Sequence, residues 1–281
     1  MIRSKVARRR SQVPTWSPQY PYAVERSYSA HLSRFVNAID RLLRERFVTV
    51  YAQALAERNS LRRDAWPEDL ETGLAWLQFN VPLDAALKAM RRTAEAAKNF
   101  GGPAYAAFAR AYAGVAAIQS EPKLEPLMDA WSKTNSKLIK SIQTKYLDDV
   151  AASASEYVRM GRTSKEFAEE LRRQHDLAVA RAKLIARTET AKLNSAITRE
   201  RQEALGLNTY VWRSSRDERV RASHRAMEGM YCKYSDSSVC SRDGVNWVSR
   251  ASIGGYIGDP GTDYQCRCTA SADVMSVIDA L

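Results

Sequence analysis

Apolar side chains recur at helical spacing along most of the chain. Residues 23–58 place them three or four positions apart with charged side chains in between, which is the pattern of a long amphipathic helix. Prolines and a Gly-Gly pair interrupt the next stretch, and the segments between these breaks predict helices over about 68–79, 82–99, 103–119 and 123–159. Further helices are predicted over 165–174, with Ser164 as its cap, and over 176–204, which ends before Gly206.

The pattern changes after Gly206. Residues 208–213 (NTYVWR) alternate between polar and apolar side chains, as in a half-buried strand. A short charged helix, a loop rich in Ser, Asp and Gly, and a compact tail follow. The sequence therefore predicts a mainly α protein, in which long helices fill the N-terminal two thirds and a small α+β module follows them.

The first 22 residues fit neither pattern. They combine basic side chains with three prolines and with Trp16, Tyr20 and Tyr22. Prolines disfavour a helix, and the segment is too poor in aliphatic side chains to form a core of its own. We therefore expect an extended arm that becomes ordered only against a partner. The predicted organisation is an extended basic arm over 1–22, a helical region over 23–206 and a small α+β module over 207–281.

The formal net charge of +11 is unevenly distributed. Residues 211–281 carry equal numbers of basic and acidic side chains, so the positive excess lies upstream. Five positive charges fall within the first ten residues: Arg3, Lys5, Arg8, Arg9 and Arg10. DNA or an acidic protein surface is the expected partner of these five residues. A solvated arm without a fixed partner is the alternative.

The composition, 45% hydrophobic and 27% charged, is that of a folded protein. No segment has the roughly 18 consecutive apolar residues that a membrane-spanning helix needs. No apolar core follows the basic N-terminus, as it would in a secretory signal. We therefore expect no membrane contact, and a protein that is used in the cytosol or packed into a particle assembled there.

A charged motif follows the predicted strand: Asp217-x-Arg219-Val220-Arg221-x-x-His224. On a helix, Asp217 and Arg221 would face each other, with the acid on the N-terminal side of its basic partner. The motif has two interpretations. It is an ordinary salt-bridged helix with a histidine against the core, or an Asp–His pair used in acid–base chemistry or metal binding.

All four cysteines of the chain fall within its last 50 residues: Cys232, Cys240, Cys266 and Cys268. In a reducing cytosol such clustering indicates a metal site before it indicates disulfides. The four thiolates would suffice for a structural zinc ion, and His224 is the other candidate ligand. Their spacing is not that of the usual zinc knuckle, so free buried thiols or a disulfide remain alternatives.

The segment that holds these cysteines needs a clamp. Residues 230–265 are rich in Ser, Gly and Asp and contain few large apolar side chains. Such a segment buries too little surface to offset an ordering entropy of about 1–2 kcal/mol per residue. A thiolate-bound zinc ion is the expected clamp.

Four stretches, taken in order, resemble the Mu protein F-like family of phage minor head proteins. Two of them lie on predicted helices, residues 131–142 (WSKTNSKLIKSI) and residues 185–190 (IARTET). The third is the Asp217–His224 motif, and the fourth is Pro260-Gly261-x-Asp263 leading to Cys266-Arg267-Cys268. Each stretch is weak alone, but their order and spacing over roughly half of the chain are specific. Cys232, Cys240 and the N-terminal third lie outside the resemblance.

The resemblance implies a virion component present in few copies, close to the portal vertex, with a role in head assembly and no established catalytic activity. The expected partners are the portal protein and the major capsid protein, which would cover the apolar stripe of residues 23–58, and packaged double-stranded DNA is a further candidate. The expected location is the capsid interior or the portal vertex, after assembly in the host cytoplasm.

The charged residues of these stretches also have a structural interpretation. Pairing between the long helix and the charged motif would dock the small module against the helical region, because buried charges are retained only when they are paired. The residues assigned to this structural motif are Arg187, Glu189, Asp217, Arg219, Arg221, His224 and Asp263.

Two kinds of enzyme are the rival interpretations. An ADP-ribosyltransferase-like enzyme needs a Glu-x-Glu pair after a strand that residues 213–215 faintly resemble, and no such pair follows them. A zinc-dependent nuclease needs a general base beside its metal, and of the three histidines only His224 is near the cysteines in sequence. The sequence therefore favours an assembly protein over an enzyme.

Overall fold

The structure is a computed structural model that describes residues 16–60, 66–113 and 121–274. The basic residues predicted to contact DNA lie outside these ranges: Arg3, Lys5, Arg8, Arg9 and Arg10. Within the described ranges, no helix is both long and apolar enough to cross a membrane.

Long helices form most of the N-terminal part. Helix α1 covers Tyr22–Leu42 and continues through a π-helical turn, Leu43–Phe47, into α2, Val48–Asn59. The helices that follow are α3 (Trp66–Asn80), α4 (Leu83–Phe100), α5 (Gly102–Ala113), α6 (Leu124–Met160) and α7 (Ser164–Ala204). A small antiparallel sheet comes after them. The predicted fold class, mainly α with a small α+β module at its C-terminal end, is confirmed.

Helix α7 is a single helix of 41 residues, where the sequence pattern predicts two. No glycine or proline lies between Ser164 and Ala204, so nothing in this stretch stops the helix. Its cap is Thr163 and not the predicted Ser164. The hydroxyl of Thr163 accepts the N–H of Glu166 (3.3 Å), and the Glu166 carboxylate accepts the N–H of Thr163 (2.7 Å). This reciprocal pair is a capping box.

The chain packs into two compact units, and each of them draws on separate stretches of sequence. The first comprises Met1–Val24, Ala94–Trp131 and Arg187–Leu281, and the second comprises Glu25–Thr93 and Ser132–Ala186. These two units are defined by contacts in space, whereas the predicted arm, helical region and small module are consecutive segments of the sequence. That three-part division stays a prediction.

The second unit buries the apolar stripe of α1 and α2. The fully buried side chains of this stripe are Tyr28, Leu32, Val36, Ile39, Leu43, Phe47, Tyr51 and Ala54. From Ile39 to Tyr51 these residues stand four apart, which exceeds the 3.6 residues of an α-helical turn, and the wider π-helical turn absorbs the difference. The stripe is covered within its own unit, where Phe167 stacks on Tyr51 at 4.1 Å. The expectation that portal or capsid subunits cover it is therefore wrong.

The first unit is built around the sheet. Its strands are β1 (Thr209–Arg213), β2 (Tyr231–Lys233), β3 (Val239–Ser241), β4 (Trp247–Ser249) and β5 (Thr269–Ala272). Their order is β4-β3-β2-β1-β5, and neighbouring strands are antiparallel. Strand β1 confirms the predicted strand at 208–213 and buries Tyr210 and Trp212 in the core. A one-turn helix, α8 (Ala222–Arg225), lies between β1 and β2.

The segment that precedes α1 packs against its own chain. Trp16 is buried beside Tyr105 and Phe108, with ring centroids 5.4 and 5.7 Å apart. Its carbonyl accepts the N–H of Ala272 at 2.9 Å, alongside β5. For the residues from Trp16 onward, the expectation that the arm becomes ordered only against a partner is wrong. The Trp16 side chain is instead buried in a hydrophobic cluster formed by the same chain.

Candidate functional site

Helix α8 and the segment before β5 bring one histidine and two cysteines together. The Nδ1 atom of His224 lies 3.4 Å from Sγ of Cys266 and 3.5 Å from Sγ of Cys268. All three side chains are buried. Cys266 and Cys268 face the same way because side chains two residues apart in an extended segment point to the same side. The spacing that looks unfavourable for a metal knuckle thus places both thiols on one imidazole.

The other ring nitrogen of His224 is held by Asp263. Its Nε2 lies 3.0 Å from Oδ2 of Asp263, and Nη1 of Arg221 donates to the same oxygen at 3.0 Å. The ring packs edge-on against Trp212 of β1, with centroids 5.7 Å apart. These contacts fix the imidazole orientation, and they leave Nδ1 directed at the thiols.

The protonation of the three groups is coupled. A hydrogen bond from the Cys268 thiol, followed by the contact with His224, lowers the pKa of Cys266 to about 5 against the opposing effect of burial. The same hydrogen bond and burial raise the pKa of Cys268. Burial alone would lower the pKa of His224, but Cys266 and Asp263 raise it on balance. The hydrogen bond between the two thiols and the contact with His224 thus favour the thiolate form of Cys266, in which a cysteine binds a metal or acts as a nucleophile.

A cleft of about 200 Å³ opens beside these groups. Its lining includes His224, both thiols and four arginines: Arg187, Arg219, Arg221 and Arg267. The guanidinium of Arg267 lies over the rings of Tyr20 and Tyr22, at 5.6 and 5.2 Å from their centroids. A cleft lined in this way favours an anionic ligand.

The predicted four-cysteine metal site is not assembled. Among the described residues, the group whose ligand atoms converge is His224, Cys266 and Cys268. Cys232 and Cys240 instead face each other across β2 and β3, and both are buried in the core of the sheet. All four cysteines are free thiols, so the disulfide alternative does not occur in the structure.

The charged motif differs from its predicted geometry. Asp217 to Arg221 form a turn and not a helix, since α8 begins only at Ala222. The Asp217 carboxylate accepts the backbone N–H of Arg219 at 3.0 Å, and Arg221 binds Asp263. The expected helical pair between Asp217 and Arg221 is therefore replaced by a bond from Arg221 to the segment that carries the cysteines.

The docking contacts of α7 also use different partners. Arg187 donates to the side-chain oxygen of Gln265 at 2.7 Å, and the Thr188 hydroxyl accepts the N–H of Gln265 at 3.3 Å. Glu189 pairs with Lys192 on its own helix at 2.8 Å. The long helix does contact the small module. It binds the amide oxygen and the backbone N–H of Gln265, which sequence charge patterns do not reveal, and it also forms a charged pair between Arg199 and Asp259 at 3.1 Å.

Arg250 is the residue that sequence reasoning missed. Its side chain is fully buried and donates to the carbonyls of Val239 (2.9 Å), Gly258 (2.6 Å) and Tyr256 (3.3 Å) and to the hydroxyl of Tyr210 (3.3 Å). A guanidinium offers five N–H donors in one plane, so a single residue can tie several loop segments together. Arg250 supplies the clamp that the composition of residues 230–265 demands. The one sequence feature that points to such a clamp is the shortage of large apolar side chains in residues 230–265.

Comparison with known proteins agrees with the motifs. Residues 148–271 match the family described as Phage Mu protein F like protein. A curated protein of Haemophilus influenzae (strain ATCC 51907 / DSM 11121 / KW20 / Rd), named as an uncharacterized protein, is 31% identical over 151 residues. That match covers 54% of this chain and 30% of the relative, so the chain corresponds to less than a third of the relative's length. No solved structure matches the chain at a significant level.

The family match spans the end of α6, all of α7 and nearly all of the small module, while residues 131–142 lie outside it. It therefore includes His224, Asp263 and both clustered cysteines. The family is one of structural phage head proteins. The resemblance predicted from the sequence motifs is confirmed, since residues 148–271 of this chain match that family.

Proposed function

We propose that this protein is a minor head protein of a tailed bacteriophage, which acts in head assembly close to the portal vertex and stays in the virion. The observation that carries the proposal is the family match over residues 148–271. The matched residues include a compact, internally bonded module on a long helix, and not an isolated motif.

The contacts of this module support a scaffolding role. Gln202 of α7 donates to the carbonyl of Ala270 in β5 at 2.9 Å, and Arg199 of the same helix binds Asp259 at 3.1 Å. Both are long-range polar contacts that fix the module on the helix and need no substrate. A rigidly held surface of this kind suits a subunit whose task is to occupy one place in an assembly.

The family match also favours a protein without catalytic activity, because the family is one of structural phage head proteins. We therefore infer an assembly protein in preference to a nuclease or an ADP-ribosyltransferase-like enzyme.

The proposed partners are the portal protein, the major capsid protein and packaged double-stranded DNA. The DNA contact is assigned to the basic residues of the N-terminus, Arg3, Lys5, Arg8, Arg9 and Arg10, because they are five positive charges with no acid among them. Contacts between such side chains and phosphates release counterions, so the affinity should fall steeply with salt.

Incorporation into heads tests the proposal. The full chain is produced together with the portal and capsid proteins of its phage, and heads are separated from free protein on a density gradient. We expect the chain in the head fraction, and its loss from that fraction when the portal gene is deleted as the matched control. Heads of normal composition that lack the chain would contradict the proposal.

A further inference from the structure

The geometry around His224 points to a metal site. We propose that His224, Cys266 and Cys268 bind one zinc ion, and that the fourth coordination position of this ion faces the arginine-lined cleft. The three ligand atoms lie within 4.8 Å of one another, and the two N···S distances are 3.4 and 3.5 Å. Tetrahedral zinc with ordinary bond lengths would place its nitrogen and sulfur ligands about 3.6 Å apart. The imidazole nitrogen thus needs shifts of only a few tenths of an ångström relative to each sulfur to share the ion with it.

The groups around the ligands are those that a zinc site uses. Asp263 binds the distal nitrogen of His224 and so directs Nδ1 at the two sulfurs, and Arg221 in turn holds the carboxylate. A carboxylate behind a ligating histidine fixes its tautomer and strengthens it as a ligand. Asp263 is therefore a positioning residue for the metal.

Backbone groups stabilise the thiolate of Cys266. The N–H groups of Gly261 and Cys268 both point at its sulfur, each at 3.4 Å. Gly261 adopts a left-handed conformation (φ 86°), and a Cβ atom there would lie 3.1 Å from the carbonyl oxygen of Ala191. Only glycine lets the backbone approach both α7 and the sulfur. The turn thus directs two N–H donors at the sulfur of Cys266, an arrangement that also suits a zinc-bound sulfur.

Three protein ligands leave one position open. Within the described residues no fourth His, Cys, Asp or Glu joins the group, and Cys232 and Cys240 are paired with each other across β2 and β3. The cleft touches all three ligands and is lined by four arginines, so it favours an anionic oxygen ligand on the ion. Structural zinc sites are closed by four protein ligands, whereas this arrangement keeps a position for water or for a group brought by another molecule.

The inference does not depend on the head-assembly proposal. It concerns the metal content of the purified chain, which can be measured without a phage particle. A zinc-free chain could still assemble into heads, and a zinc-loaded chain could fail to do so.

The first test is the metal content of the full chain, produced with added zinc sulfate and purified without chelators. We expect about one zinc ion per chain by elemental analysis. Cys268→Ser should remove it, whereas Cys240→Ser, a buried thiol outside the group, should retain it. Less than about 0.2 zinc per chain in folded, unmodified protein would overturn the proposal, because a bound structural or catalytic zinc is nearly stoichiometric. The three buried groups would then be held by hydrogen bonds alone.

The second test does not require the cysteine variants to fold. Protein stripped by a chelator is titrated with zinc against a chromophoric chelator, and Asp263→Asn should weaken the zinc affinity by about 10- to 100-fold. Cobalt(II) is then bound in place of zinc, and acetate or phosphate is added. We expect charge-transfer bands of two thiolates, and a change in the cobalt bands when the anion enters the open position. Bands of four thiolates, or bands that neither anion changes, would overturn the three-ligand open site.

Discussion

Replacement of Arg250 by alanine should destabilise the small module severely. The side chain is fully buried and forms four hydrogen bonds, three of them to the carbonyls of Val239 in β3 and of Tyr256 and Gly258 in the loop that follows β4. Each acceptor left unpaired in the interior costs about 1–3 kcal/mol, and the costs are not additive. Because four acceptors lose their donor together, we expect the free energy of unfolding to fall by about 3–5 kcal/mol.

The conservative variant separates charge from geometry. Arg250→Lys keeps the positive charge but has one nitrogen in place of the planar fork, so it can satisfy only some of the four acceptors. We expect it to lose about half as much stability as the alanine variant. Arg242→Ala is the matched control, because Arg242 lies in the neighbouring turn between β3 and β4 with its side chain exposed, and such changes stay within about 0.5 kcal/mol.

Hydrogen exchange is the suitable assay, because the chain has two compact units and one melting curve would mix them. The amides of β2 and β3 should lose protection in Arg250→Ala, while those of α1 and α2 keep it. A loss below about 1 kcal/mol in β2 and β3 would refute the reasoning that Arg250 clamps this loop.

Three further changes test other parts of the structure. Trp16→Ala should cost about 3–5 kcal/mol in unfolding free energy, since a buried aromatic side chain is removed, while Gln19→Ala at an exposed neighbouring position should be neutral in the same denaturation assay. Thr163→Ala should cost about 1 kcal/mol through loss of the capping box, and an equal loss in Ser164→Ala would contradict the assigned cap. Deletion of residues 1–58 should uncover the core of the second unit and increase binding of a hydrophobic dye, whereas a monomeric, dye-free product would show that the apolar stripe is not needed there.

Local patterns were sufficient to predict the helical part of the fold. The apolar positions of α1 and α2 follow from helical spacing, but this spacing does not reveal the π-helical turn at Leu43–Phe47, because four-residue steps such as Tyr28 to Leu32 also occur in the regular helix. The boundary predicted near residue 175 is wrong because polarity alone does not end a helix without glycine or proline. The sequence also could not predict which residues cover the apolar stripe, because its burial depends on contacts between residues that are distant in sequence.

The candidate site was only half predictable. Cysteine clustering and the His224 motif indicate metal chemistry, but which thiols converge depends on strand register, which pairs Cys232 with Cys240 and leaves Cys266 and Cys268 at the imidazole. Arg250 could not be foreseen, because a surface arginine and a buried clamp look alike in a sequence. Whether an arginine is exposed or buried depends on which distant parts of the chain fold around it.

The location of the chain in assembled heads tests the central claim most directly. Heads that contain a tagged full-length chain can be imaged by electron cryomicroscopy, with localised reconstruction of the portal vertex. We expect density for the tag at this one vertex, in few copies, and none at the other vertices. Density spread over the whole shell, or no density in heads that carry a complete portal, would contradict a minor head protein of the portal vertex.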